Sequence, residues 1–195
     1  MIEIKTIGIV GAGTLGQAIA YLAAAGGYCT VLEDVSSQRL ADGMAAIAEE
    51  LDRAVARGQL TAEHKSRALE NLAAGHAVED VCRQADLLIE AVADELEAKL
   101  EIFTLFDRFA RPGAILASTT ASLAISDLAD ITFCAENCVG LRFAPPVTEG
   151  GQLEIVRARA TSDATVAACI EVGRRMGKDA VVVRVRADSA AGAAR

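Results

Sequence analysis

Short apolar runs, each cut by glycine, proline or charge, alternate with longer stretches of helical spacing along the 195-residue chain. The β-branched run Ile4 to Val10 predicts a strand, and Gln17 to Ala25 an Ala-rich helix stopped by Gly26-Gly27. Cys29 to Leu32 predicts a second strand closing on Glu33-Asp34. Ser36 or Ser37 then offers an N-cap for a helix through Ala56, and Thr61-Ala62-Glu63-His64 opens another, so a helical arm is expected between the second and third strands. Strands are expected near His76 to Val78, from Ala85 through Val92, and at Ala114 to Ser118, with the amphipathic helix Glu95 to Phe109 stopped by Arg111-Pro112-Gly113. Cys138 to Phe143, Leu153 to Val156 and Ala180 to Val185 complete the strands, and Asp163 to Met176 reads as a helix. The pattern is that of an α/β protein with a doubly wound, mostly parallel sheet, one domain over residues 1–186, and a tail at 187–195 with little to pack against.

With 52% hydrophobic residues the chain can bury a sizeable core. A net charge of −8 without a basic stripe argues against a nucleic-acid surface. Apolar runs end well short of the roughly 18 residues that span a bilayer, and Met1-Ile2-Glu3 leads into a strand rather than a signal peptide, so a cytoplasmic protein with no membrane partner is expected. The odd set Cys29, Cys82, Cys134, Cys138 and Cys169 suits reduced thiols, and Cys134 and Cys138, lacking a nearby His or second pair, do not predict a metal site.

The candidate chemistry sits at Gly11-Ala12-Gly13-Thr14-Leu15-Gly16. A G-x-G-x-x-G string alone is weak, but here it follows a strand and opens a helix, so its glycines let the backbone turn tightly, approach a pyrophosphate and pack helix on strand. An acid about 20 residues on completes the Rossmann dinucleotide signature, and Asp34 stands there. Its carboxylate would accept the adenosine ribose hydroxyls and repel the extra phosphate of NADP, which favours NAD as cofactor. Arg39 reads as a solvated helix residue, and Glu33, on the other strand face, as an ordinary strand-end charge.

Further blocks extend this pattern: Arg57-Gly58-Gln59-Leu60-Thr61, Glu90-Ala91-Val92 followed by Lys99, Ala117-Ser118-Thr119-Thr120-Ala121-Ser122, Gly140-Leu141-Arg142-Phe143 and Leu153-Glu154-Ile155-Val156. Together with the glycine turn they resemble the N-terminal NAD-binding domain of the L-3-hydroxyacyl-CoA dehydrogenases over roughly residues 4 to 186. The resemblance implies that Gly11, Gly13, Thr14, Leu15, Gly16 and Asp34 hold the cofactor, with Ala91, Val92, Asp94, Lys99 and Ser118 at its nicotinamide end. It also implies hydride transfer from a 3-hydroxyacyl thioester to NAD while a histidine, oriented by a glutamate, takes the hydroxyl proton.

Arg142 stands at the position of that histidine, and the chain's two histidines, His64 and His76, fall elsewhere. A guanidinium holds its proton at any working pH and cannot act as the base. Ala121 replaces a family serine, Pro145 an asparagine, and Asp94 a longer glutamate. The family's helical C-terminal domain, which completes the acyl-CoA site and forms the dimer, lies beyond the matched blocks. Glu154, at the place of the dyad glutamate, reads either as a catalytic remnant ion-paired with Arg142 or as an exposed strand carboxylate. Lys99 reads either as a ribose contact or as a solvent-facing lysine, and Ser118 and Thr120 either as ligand contacts or as turn caps.

The leading expectation is an NAD(H)-binding protein of this family with a degenerate catalytic site, Arg142, Glu154 and Ser118 marking where chemistry took place. The alternatives are an active oxidoreductase on a 3-hydroxyacyl-CoA or related hydroxy acid using another base, and a non-catalytic NADH-sensing or structural module. An acyl-CoA-like substrate and a homo-oligomer are the partners expected.

Overall fold

The computed structural model describes residues 2–184. In chain order its elements are β1 (Thr6–Val10), α1 (Thr14–Ala25), β2 (Cys29–Glu33), α2 (Ser37–Ala56), α3 (Ala62–Glu70), β3 (Leu72–Ala74), α4 (Val78–Gln84), β4 (Leu87–Glu90) and α5 (Leu96–Phe109). Then come β5 (Ile115–Ser118), α6 (Ile125–Ala129), a 3-10 turn (Ala135–Asn137), β6 (Cys138–Phe143), β7 (Gln152–Arg157), α7 (Asp163–Arg175) and β8 (Asp179–Arg184).

The strands form one eight-stranded sheet in the order β3-β2-β1-β4-β5-β6-β7-β8. Every neighbouring pair is parallel except β6 and β7. Side chains alternate across it. Ile7, Ile9, Leu32, Leu87, Ile89 and Ile115 pack with α1, α2 and α7, whereas Val10, Leu88, Leu116 and Val156 pack with Val81 of α4, Phe103 and Phe106 of α5 and Leu128 of α6. Each fully buried aliphatic or aromatic side chain contributes about 1.5–3 kcal/mol, and helices on both faces explain why these strands read as near-continuous apolar runs. From β1 the chain winds outward through β2 and β3, returns to β4 and then winds the other way. The reversal leaves a crevice at the carboxyl ends of β1 and β4, where doubly wound sheets bind ligands.

Local chemistry sets the helix starts. Ser36, not Ser37, caps α2 by accepting from the Arg39 amide at 3.2 Å, and Thr61 caps α3 by accepting from His64 at 3.1 Å. α1 begins at Thr14, three residues before the expected Gln17, because the glycine turn runs directly into it.

The strand expected at His76 to Val78 is not formed. β3 lies earlier, at Leu72–Ala74, where pairing with β2 is framed by Thr30 N–H on the Asn71 carbonyl (2.7 Å) and Gly75 N–H on that of Leu32 (2.7 Å). Val78 instead opens α4, whose first turn carries Glu79 and Asp80, favourable charges for a helix N-terminus. The run Ala85 to Val92 contributes only Leu87–Glu90 as strand. Helices α4 and α6 were not expected from periodicity. Val185 and the tail at 187–195 lie outside the described residues.

Candidate functional site

The glycine turn bridges β1 and α1 at the crevice. Gly11 has φ +109, and a Cβ there would come within 2.6 Å of the Ala91 carbonyl oxygen; a Cβ on Gly16 would lie 1.8 Å from that of Gly11. These two glycines are required by packing. Gly13 differs, since a Cβ there would meet nothing within 4 Å. Gly13 is also the N-cap of α1 and supplies no side-chain cap, and the first helical bond to it comes from Gln17 N–H at 2.9 Å. The first-turn amides of α1 have no acceptor within the helix, and the space beside Gly13 is open at the helix's positive end, an arrangement that fits a diphosphate.

Asp34 follows β2 and turns back toward this site. One carboxylate oxygen accepts from Ala12 N–H and the other from Ser36 N–H, both at 2.9 Å. A carboxylate offers about four acceptor positions, so two remain for ribose hydroxyls. Arg39 is 62% exposed with a guanidinium nitrogen 3.7 Å from Asp34, which leaves it largely solvated. Glu33 departs from its expected role as an ordinary strand-end charge. It is buried, with Oε2 unpartnered, and burial first, then Asp34 and Glu79, raises its pKa.

Beyond the turn, three buried polar side chains lock together. Lys99 of α5 donates to both Glu90 carboxylate oxygens at 2.8 and 2.9 Å, and Ser118 Oγ, at the end of β5, donates to the same carboxylate at 2.7 Å. Glu90 also accepts from Val92 N–H at 2.7 Å, and Ser118 Oγ accepts from Thr120 N–H at 3.2 Å. Lys99 is 1% exposed and Glu90 fully buried, so Lys99 is not the solvent-facing lysine its helix pattern allowed. Its ammonium ties β4, the Ala91-Val92 turn and α5 into one rigid edge of the crevice. Asp94 sits 3.6 Å from Lys99 and accepts from Ser122 Oγ at 2.9 Å. Burial pushes its pKa up, but hydrogen bonds from Thr120 and Ser122 and the Lys99 charge outweigh this and hold it below the usual value. In the sequence Glu90 stands out only as the start of a matching block. Its signal was a lone acid closing the apolar strand Leu87-Leu88-Ile89.

On β6, Arg142 lies directly opposite Glu154 of β7 in the antiparallel register. The ion pair expected between them is not formed. Arg142 Nε instead donates to the Thr120 carbonyl at 2.9 Å, and no carboxylate among the described residues lies within salt-bridge distance of its guanidinium. The loop after β5 thus captures the guanidinium, while the half-buried Glu154 keeps access to water and needs no cation. His64, in α3, and His76, after β3, are exposed and stand on other elements. No group of three or more His, Cys, Asp or Glu among the described residues could hold a metal, and all five cysteines are free thiols. No helix of the described residues is long and apolar enough to cross a membrane.

A doubly wound sheet with bare glycine-turn amides at its switch point and a carboxylate after β2 defines a dinucleotide-binding domain. Comparison with known proteins narrows the class. Residues 6–186 match the family model described as "3-hydroxyacyl-CoA dehydrogenase, NAD binding domain". A 3-hydroxybutyryl-CoA dehydrogenase of Bradyrhizobium diazoefficiens is 38% identical over 92% of the chain and 61% of its own length, and a probable one of Bacillus subtilis is 33% identical over 93% and 63%. The crystal structure of (S)-3-hydroxybutyryl-CoA dehydrogenase from Ralstonia eutropha superposes with a TM-score of 0.88 at 34% identity, covering 93% of this chain and 64% of that one. The chain therefore belongs to the 3-hydroxyacyl-CoA dehydrogenase family as its NAD-binding domain, and NAD is its cofactor. It spans just over 60% of the length of these relatives.

Proposed function

We propose that this chain binds NAD(H) in a site whose proton-transfer chemistry has been lost, making it a binding module before it is a dehydrogenase. The observation that carries this reading is Arg142, a permanently protonated side chain tied to the Thr120 carbonyl where the family resemblance calls for a neutral imidazole. Gly13, Thr14, Leu15 and Gly16 hold the pyrophosphate through their amides, with Gly11 shaping the turn, and Asp34 holds the ribose. Ala91, Val92, Asp94 and Ser118 flank the nicotinamide, and Lys99 acts as a positioning residue through Glu90. When bound, NAD supplies the hydride acceptor. Among the described residues no histidine stands on β5, β6 or β7, and Glu154, on the strand opposite Arg142, occupies the place of the dyad glutamate. An acyl-CoA-like compound is the ligand class that the relatives' names favour, and a second copy of the chain is the partner proposed.

The test follows NADH absorbance with acetoacetyl-CoA for the wild type and Arg142→His, alongside NADH binding by calorimetry. Wild-type binding of NADH without turnover is expected, and restoring a base should raise the rate at least about 100-fold above the wild-type background. Robust wild-type turnover would refute the reading. So would an Arg142→His variant that binds NADH yet gains nothing.

A further inference from the structure

Among the described residues, Glu33 Oε2 is the one buried side-chain oxygen without a hydrogen-bond partner. Native proteins leave few such atoms, and a carboxyl is a costly one to leave. Glu33 is 6% exposed and closes β2, immediately before the carboxylate that holds the cofactor ribose. Its side chain lies on the α4 face of the sheet, under Gly75. A Cβ on Gly75 would come within 3.1 Å of Glu33 Cβ and 3.3 Å of Cγ. The charged groups felt there are Asp34 and Glu79, both acids, and no cation among the described residues pairs with Glu33. On the other side of Asp34, Val35 is 97% exposed, an apolar side chain presented at the same end of the sheet.

An unsatisfied buried acceptor thus stands immediately before Asp34 in the chain, and a bare apolar side chain immediately after it. The group joined to the adenosine ribose is a flat base that has an apolar face and an amino edge. We infer that Glu33 accepts a hydrogen bond from the exocyclic amino group of the NAD adenine while Val35 packs against the base, so that the site discriminates adenine from hypoxanthine. The inference rests on the NAD assignment and adds a specificity-determining residue to it. The raised pKa of Glu33 accords with a carboxyl that lacks a donor until the cofactor brings one.

The test titrates NADH and reduced nicotinamide hypoxanthine dinucleotide into the full chain by calorimetry. The hypoxanthine analogue carries a carbonyl where adenine carries its amino group, so wild type should bind NADH about tenfold more tightly. Glu33→Gln should bring the ratio close to one, because an amide can accept from an amino group or, turned over, donate to a carbonyl. Glu33→Val should lower NADH affinity to that of the analogue; if that variant does not fold, Glu33→Gln decides alone. A wild-type ratio of one, or a ratio unchanged in Glu33→Gln, would overturn the inference while leaving the NAD assignment standing. Failure of the wild type to bind either dinucleotide would instead overturn that assignment and this inference with it.

Discussion

Replacing Lys99 by methionine should be among the most damaging single changes available in this protein outside its apolar core. The side chain is 1% exposed and its partner Glu90 is fully buried. Methionine keeps most of the aliphatic stem, so little packing is lost and the effect isolates the charge. Glu90 would retain hydrogen bonds from Ser118 Oγ and Val92 N–H but lose the cation that both its oxygens face. Breaking a buried pair from one side costs about 3–5 kcal/mol, because an uncompensated charge stays behind. At about 2–4 °C per kcal/mol for a chain of this size, the melting temperature should fall by roughly 6–20 °C.

Urea denaturation followed by circular dichroism would report the change as a lower midpoint with unchanged slope. Lys99→Met/Glu90→Gln should recover at least half of the loss, since glutamine removes the stranded charge, keeps its carbonyl oxygen as acceptor for Val92 N–H and can turn its NH2 toward Ser118 Oγ as donor. As a contrast, Arg67→Ala deletes a pair in which both side chains are more than 60% exposed and should cost less than about 1 kcal/mol. A Lys99→Met variant within about 1 kcal/mol of wild type, or a double variant no better than the single, would refute the view that this triad rigidifies the crevice.

Other outcomes follow from the same geometry. Gly13→Ala should leave the melting temperature within a few degrees of wild type yet weaken NADH binding at least about tenfold in calorimetry, because the added methyl enters open space at the anion site. Gly16→Ala, whose Cβ meets the Gly11 carbonyl at 1.8 Å, should reduce both stability and binding. The raised pKa of Glu33 means that its carboxyl favours folding most below the unfolded value of 4.5, and that this contribution is lost as pH rises through the higher folded value. Glu33→Gln should therefore be more stable than wild type at pH 7 in urea melts without cofactor, with the advantage shrinking as pH falls from 7 through the raised folded value to 4.5 and levelling off below it. A constant difference across that range would contradict the sign.

Much of this was legible in the sequence because the decisive contacts are local. The glycine turn, the helix it opens and the acid after the second strand form a continuous string, and the amide of Ala12 meets Asp34 as the spacing implies. Edge strand β3 was misplaced because its three residues are half-buried or exposed and carry no apolar alternation, while the β-branched Val78 nearby drew the assignment. Block spacing suggests an Arg142 and Glu154 ion pair, and the structure has the two directly opposed but unpaired. What spacing could not convey is that a carbonyl from a third element, the loop carrying Thr120, competes for the guanidinium. Glu90 and Lys99 were hidden for a related reason: their pairing depends on how α5 leans on the carboxyl end of β4.

The two halves of the site thus differ in how they are built, and this bears on how the domain could keep a cofactor while losing a reaction. The cofactor half depends on backbone amides and on glycines that packing requires: Gly11 against Ala91, and Gly16 against Gly11. Side-chain changes elsewhere cannot easily remove it without unfolding the turn. In the function proposed above, the catalytic half depends on one side chain projecting from β6, where Arg142 is accommodated by the Thr120 carbonyl and stays half-buried. Between them, Glu90 spans both halves through Val92 and Ser118. A domain so constructed can relinquish proton transfer by a single substitution, whereas giving up dinucleotide binding would require dismantling the first turn of α1 or the strand beneath it.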